Sequence, residues 1–214
     1  GSMEELRKHL DKQPGFTAIS LSYASTRSSL EQHALALANV IKNIPQDTEI
    51  YVVGHSMGNL VVRYYLARAE NADPRIKRIV MLAPPNQGAA LATLFKDNHL
   101  FQVFWGTSGE EIAGNWDQLT RKLATPECEF GIIAGGNIKS FLNNPFIKGE
   151  DDLVLRVEET RLAGARDFAI IPSYRGRIMN HVQAKAYTSR FLQKGHFISE
   201  SRRDPIPPAE AERP

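Results

Sequence analysis

The 214-residue chain has one cysteine, Cys128, so no internal disulfide can form and a disulfide-stapled secretory scaffold is excluded. It has no apolar run approaching the roughly 18 residues that a membrane span needs. The amino-terminal stretch GSMEELRKHL is polar and helical in character, without the apolar core of a signal peptide, and Gly1-Ser2 reads as an expression-tag scar. A cytoplasmic location is the expectation from these features. Charge of one sign is also missing: the formal net charge is +2. The nearest basic cluster, Arg175, Arg177, Lys185 and Arg190, is sparse, so no field exists to collect phosphates and nucleic acid is not the expected partner. The six histidines are scattered, and no glycine-rich dinucleotide loop occurs. The sequence therefore calls for no metal and no cofactor.

What is present is alternation. Short apolar, β-branched runs read as buried strands at Phe16–Leu21, Ile50–Val53, Ile76–Leu82, Phe130–Ala134 and Phe168–Ile171. Between them lie segments with helical spacing. Ser28 or Ser29 can cap a helix carrying Leu30, Leu35, Leu37, Val40 and Ile41. A second helix runs from Asn59 to Glu70, and a third from Val182 to Lys194, ending at Gly195. Strand and helix in succession predict parallel pairing through right-handed crossovers, hence an α/β fold with helices on both faces. Two stretches break the pattern. More than forty residues separate Pro84-Pro85-Asn86 from the strand at Phe130, with Leu94, Phe95, Phe101, Phe104, Trp105 and Trp116 among them. A connection of that length is usually functional, and it reads as a helical cap-like insertion, about 88–127, lining an acyl pocket. The end, SESRRDPIPPAEAERP, is proline-rich and charged, and reads as a disordered tail over 199–214 behind one domain at 3–198.

The chemistry concentrates in YVVGHSMGNL. Gly54-His55-Ser56-Met57-Gly58 fits Gly-x-Ser-x-Gly, a weak pattern by itself. Its setting makes it specific, because it follows an apolar strand directly and opens a helix, as a nucleophile elbow requires. Such a turn strains Ser56 and exposes its hydroxyl at the carboxyl edge of the sheet. The close passage of helix and strand requires Gly54 and Gly58 to lack side chains. The helix amino terminus and the Met57 N–H are placed to stabilise a developing oxyanion.

The runs GHSMGNLVVRYYLA and RIKRIVMLAPPNQGA, with GEDDLVLRVEETRLAGARDFAIIP and FLQKGHF, resemble the bacterial triacylglycerol lipase/esterase-like α/β-hydrolases, and more distantly the glycosylphosphatidylinositol deacylase family. The resemblance spans about Phe16 to Phe197. It implies an α/β-hydrolase fold with a mostly parallel sheet of about five or six strands. It also implies a Ser–Asp–His triad in that chain order. Ser56 is then the nucleophile and Asp152 the acid, with Leu153 where the family has glycine and Asp151 as the fallback. In register, the histidine position holds Arg175, which stays protonated and cannot act as a base. His181, six residues on, is the default base, with His55, His99 and His196 as weaker candidates. The family's earlier strand, which ends in His-Gly and supplies a second oxyanion N–H, should precede Glu4. Its place in the usual order is between the strands at Phe16–Leu21 and Ile50–Val53. Without it, the first strand pairs with the elbow strand, or a second copy of the chain fills the slot as a homo-oligomer, or the sequence is a fragment.

These features imply a serine hydrolase of the lipase/esterase type acting on a small-molecule or lipid-like ester. A catalytically impaired homologue, in which Arg175 clamps a carboxylate or phosphate, is the alternative. An acyltransferase-like or haloperoxidase-like activity on the same scaffold is a third.

Overall fold

In the second strand, Ile79 and Met81 alternate with Val80 and Leu82, and all four are fully buried. A run that is apolar on both sides must be covered on both sides, and this pattern decides the layering. The computed structural model of the chain describes residues 3–21, 29–68, 73–87, 116–136, 157–173 and 175–209. Four strands form one sheet: β1 (Ile50–His55), β2 (Ile76–Leu82), β3 (Glu129–Gly135) and β4 (Asp167–Ile171), in the order β1-β2-β3-β4. Every neighbouring pair is parallel, with His55 beside Leu82, Leu82 beside Ile133, and Gly135 beside Ile171. All four carboxyl ends therefore lie along one edge.

Helices α2 (Leu30–Lys42) and α3 (Gly58–Leu66) cover one face, packing Leu37, Ile41, Leu60, Val61 and Tyr65 with Ile79, Met81 and Ile132. Helices α1 (Glu4–Asp11) and α5 (Val182–Lys194) cover the other, where Leu6, Leu10, Phe191, Leu192 and Phe197 meet Val80, Leu82, Ile133 and Ile171. Local chemistry sets the helix ends. The Ser29 Oγ accepts from the Gln32 amide, while the Gln32 side chain accepts from the Ser29 amide, a reciprocal capping box. Gly195 closes α5 at φ 74°, a conformation that costs glycine little.

Three sequence expectations need correction. Phe16–Leu21, expected as a strand, joins no ladder among the described residues, where the sheet has four strands. The segment is tied instead to α1, through the Ala18 amide to Asp11 Oδ1 at 3.0 Å, and Phe16 packs on Tyr51 with ring centroids 5.4 Å apart. Ile19 is 67% exposed and, with Asn39, Val40, Asn43 and Ile44, lines an open cleft. An apolar extended run has strand propensity, but a strand needs an edge in register to bond to. Second, residues 199–209 have a defined place instead of trailing as a disordered tail. Buried Asp167 accepts from the amides of Phe197 (2.6 Å) and Asp204 (2.9 Å), the Ile206 amide donates to Ala165 O at 2.9 Å, and Ile206 packs on the core. Specific acceptors at the start of β4 hold a segment that its own composition could not fold. Third, the later part of the 88–127 insertion belongs to the core. Helix α4 (Trp116–Thr120) carries buried Leu119 and leads into buried Leu123, and Ala124 exchanges bonds with Arg63. Residues 88–115, where most of the aromatic residues of the expected cap fall, lie outside the described residues, as do 210–214.

Burial also makes the fold acid-sensitive. Desolvation lowers the pKa of His33 on α2, and of His9 on α1, below the ordinary histidine value. Below a pH of about 6.5 the unfolded chain binds more protons at these sites than the native state, so stability falls as pH falls. His33→Leu should remove one of these sites. Thermal melts at pH 8 and pH 5.5 should show a smaller acid-induced drop in Tm for the variant than for the wild type.

Candidate active site

The carboxyl edge of the sheet is a row of exits. The Ser56 amide bonds to Leu82 O at 2.9 Å, the Ala83 amide to Ile133 O at 2.9 Å, and the Gly136 amide to Ile171 O at 3.0 Å. These bonds carry the ladder one residue past each strand. Ser56 sits there at φ 53°, in the left-handed region that a non-glycine residue occupies only under constraint. It follows β1 directly, and Met57 (φ −61°, ψ −24°) already has helical geometry and begins α3. The turn is thus a strand, one strained serine and a helix amino terminus, with the Ser56 side chain half-buried.

Packing explains one of the two elbow glycines. A Cβ on Gly54 would lie 2.8 Å from Asn59 Cγ and 3.2 Å from Asn59 Cα, and closer still to Oδ1. Gly58 differs: a Cβ there would meet nothing within 4 Å among the described residues. The expectation that both glycines are demanded by the close passage of helix and strand holds for Gly54 alone.

Two polar residues that the sequence reading passed over are buried on α3. Asn59 is wholly buried, and its Nδ2 donates to Ser56 O at 3.0 Å and Leu82 O at 3.2 Å. Arg63, one turn later, is 4% exposed. It donates through Nε to Ala124 O at 2.9 Å and through Nη1 to Asn86 Oδ1 at 3.1 Å. Burial pulls its pKa down to about 10. Asn86 continues the chain of bonds, with Nδ2 on Thr160 O at 2.8 Å and its amide on Glu159 O at 3.1 Å. The elbow helix, the exit of β2, which begins at Ala83 with φ 42°, and the turn at Val157–Thr160 are therefore one braced unit. The signal was present in the sequence: two polar residues spaced four apart in the otherwise apolar run NLVVRYYL.

The other candidate residues are placed less completely. Asp152 and Asp151 lie outside the described residues, as does His99. His181 is the N-cap of α5, and its Nδ1 accepts from the Gln183 amide at 3.3 Å. It follows the 3₁₀ turn Arg175–Asn180, past the carboxyl end of β4. At about 4.8 Å per strand, β4 lies roughly 14 Å across the sheet from β1, so the segment must reach back over the edge to approach Ser56. Arg175 begins that turn, and its side chain is outside the described residues. His55 closes β1, half-buried beside Ser56. His196 follows the carboxyl end of α5, beside the starts of β3 and β4, where Phe197 bonds Asp167. It is about a strand's length from the elbow, so the architecture separates it from Ser56. Among the described residues no cluster of histidine, cysteine or acidic side chains could hold a metal, and no helix is long and apolar enough to cross a membrane.

Two solved structures give the same architecture at low identity, and a third is more distant. A variant of tomato methylketone synthase I complexed with β-ketoheptanoate is 12% identical, with a TM-score of 0.50 and coverage of 91% of each chain. The esterase domain of a Rhodothermus marinus protein is 11% identical, with a TM-score of 0.50 over 89% of this chain and 78% of that one. The Vlm2 thioesterase domain bound with a dodecadepsipeptide is 15% identical, with a TM-score of 0.45 over 92% and 88%. Comparison with curated protein sequences gives no match. The family model described as the alpha/beta hydrolase fold matches residues 14–126, more than half of the chain and including the elbow. The chain belongs to the α/β-hydrolase fold family.

Proposed function

We propose that the protein is a serine hydrolase of the esterase/lipase type that cleaves carboxylic esters through an acyl-enzyme on Ser56. The observation that carries this reading is Ser56 itself, held at φ 53° between β1 and α3 on the carboxyl edge of the sheet. Fold alone does not fix function; a strained serine with a helix amino terminus behind it is a specific chemical arrangement. In the first step the Ser56 Oγ–carbonyl carbon bond forms and the carbonyl oxygen takes the charge, facing the Met57 N–H. His181 takes the hydroxyl proton and passes it to the departing alkoxide. Water then attacks the acyl-enzyme by the same route, and Asp152 orients the imidazole. Apolar aromatic residues in the 88–127 insertion suit a hydrophobic acyl group.

His181 is the member most open to challenge. In a triad the Nδ1–H donates to the acid and Nε2 takes the proton, whereas here Nδ1 accepts the Gln183 amide as a helix cap. To serve as base, His181 must release that cap. Asn caps helices as well as any residue, so His181→Asn keeps α5 while removing the base. The expected result is native stability and hydrolysis of p-nitrophenyl butyrate reduced by at least about a thousandfold. Retained hydrolysis would reject His181.

The capping role also favours the second reading, an impaired homologue that binds a ligand without turning it over. In that case wild type and Ser56→Ala would be equally inert towards short- and long-chain p-nitrophenyl esters, and would bind a carboxylate ligand equally well.

A further inference from the structure

The planar trans peptide couples the two halves of the elbow. The Ser56 carbonyl and the Met57 N–H belong to one peptide unit and point in opposite directions. Whatever fixes the carbonyl therefore fixes the N–H. The Ser56 carbonyl is held twice by the same residue: the Asn59 amide donates to it at 3.1 Å and Asn59 Nδ2 at 3.0 Å. The same Nδ2 also reaches Leu82 O at 3.2 Å, which already accepts the Ser56 amide at 2.9 Å. The side chain thus ties the strained residue to the end of β2 as well as to its own helix.

The orientation of this amide group has only one acceptable choice. Two carbonyl oxygens face it, and only the NH₂ end can satisfy both. The cost falls on Oδ1, which is buried against Gly54 without a hydrogen-bond partner among the described residues. An orphaned buried acceptor is unfavourable, and a leucine would fill the space without it. A purely space-filling role does not account for the amide; holding the peptide does.

We propose that Asn59 is a positioning residue for the oxyanion donor: it clamps the Ser56–Met57 peptide so that the Met57 N–H faces the reacting carbonyl. The role rests on the Ser56 acyl-enzyme reading. Asn59 touches no reacting atom and acts through the peptide it holds. A donor that is preorganised accelerates only the step in which charge develops on the oxygen.

The test uses the full chain with p-nitrophenyl butyrate and a trifluoromethyl ketone of the same acyl length, which forms a tetrahedral adduct. For Asn59→Ala, kcat should fall about 10- to 100-fold with KM within about twofold, and the ketone's affinity should fall in parallel. Asn59→Ser, whose hydroxyl can return one bond to the carbonyl three residues back, should fall between the two. It also decides the matter if the alanine variant does not fold. A crystal structure of either variant should show the Ser56–Met57 peptide rotated from its wild-type direction. Unchanged peptide geometry with kcat within twofold of wild type would overturn the proposal, as would a rise in KM at constant kcat. Failure of the Ser56 reading is distinct, because it appears as an inert wild type before any variant is compared, and it removes the positioning role with it.

Discussion

Ser56→Ala is expected to reduce ester hydrolysis by about 10⁴- to 10⁶-fold while leaving the fold intact. The size of the effect follows from the division of labour in acyl transfer. Removing the nucleophile abolishes the covalent route, and the remaining rate comes from oxyanion stabilisation and binding alone. Alanine accepts the strained φ of 53° no better than serine does, so this change adds little backbone cost. The measurement is kcat/KM for p-nitrophenyl butyrate with both proteins matched for Tm. A residual rate above about 1% of wild type would mean that another group carries the chemistry.

Gly54→Ala is expected to produce the largest loss of stability at the site, about 3 kcal/mol. One methyl at this position would enter the space held by the Asn59 side chain, 2.8 Å from Cγ and nearer to Oδ1. Interiors packed as densely as crystals do not absorb such an overlap without displacing something. The thing displaced would be the amide that holds Ser56 O and Leu82 O. The double variant Gly54→Ala/Asn59→Ala should therefore regain most of the lost stability, since the added methyl would occupy the space that the amide vacates, while activity stays low. Urea unfolding of the two single variants and the double variant measures the coupling. Equal and additive losses would show that the two residues do not compete for one space. Gly58→Ala provides the contrast, since its Cβ meets nothing among the described residues, and its stability should stay near wild type.

The parts legible in the sequence were those that local chemistry decides. The four strands from Ile50 to Ile171 announced themselves as short apolar runs, and Gly195 marked the end of α5 through its backbone freedom. The elbow was legible because its geometry needs only a strand, one residue at positive φ, and a helix, all within ten residues. Phe16–Leu21 misled because strand propensity is a property of the segment, whereas strand pairing is a property of its neighbours. Residues 199–209 misled for the same reason in reverse. Their composition is that of a solvated tail, but Asp167, more than thirty residues earlier, presents both carboxylate oxygens to backbone amides near them. The site divides along the same line. The turn through Gly54, Ser56 and Met57 was readable because it is local in sequence, while the place of Asn59 was not, because its buried amide depends on a carbonyl from β2 as well as on Ser56 O. His181 shows how one residue serves two readings. The sequence offers it as a base, and the folded chain uses its Nδ1 to cap α5.

The central claim is that the elbow is armed. The most direct measurement is peptide mapping by mass spectrometry after exposure of the wild-type chain to a fluorophosphonate. Phosphonylation reports an activated serine independently of which ester the protein acts on. The account predicts one phosphonyl group per chain, located on Ser56 and absent from Ser56→Ala. A folded wild-type chain that takes up no label, or takes it up at another residue, would contradict the claim.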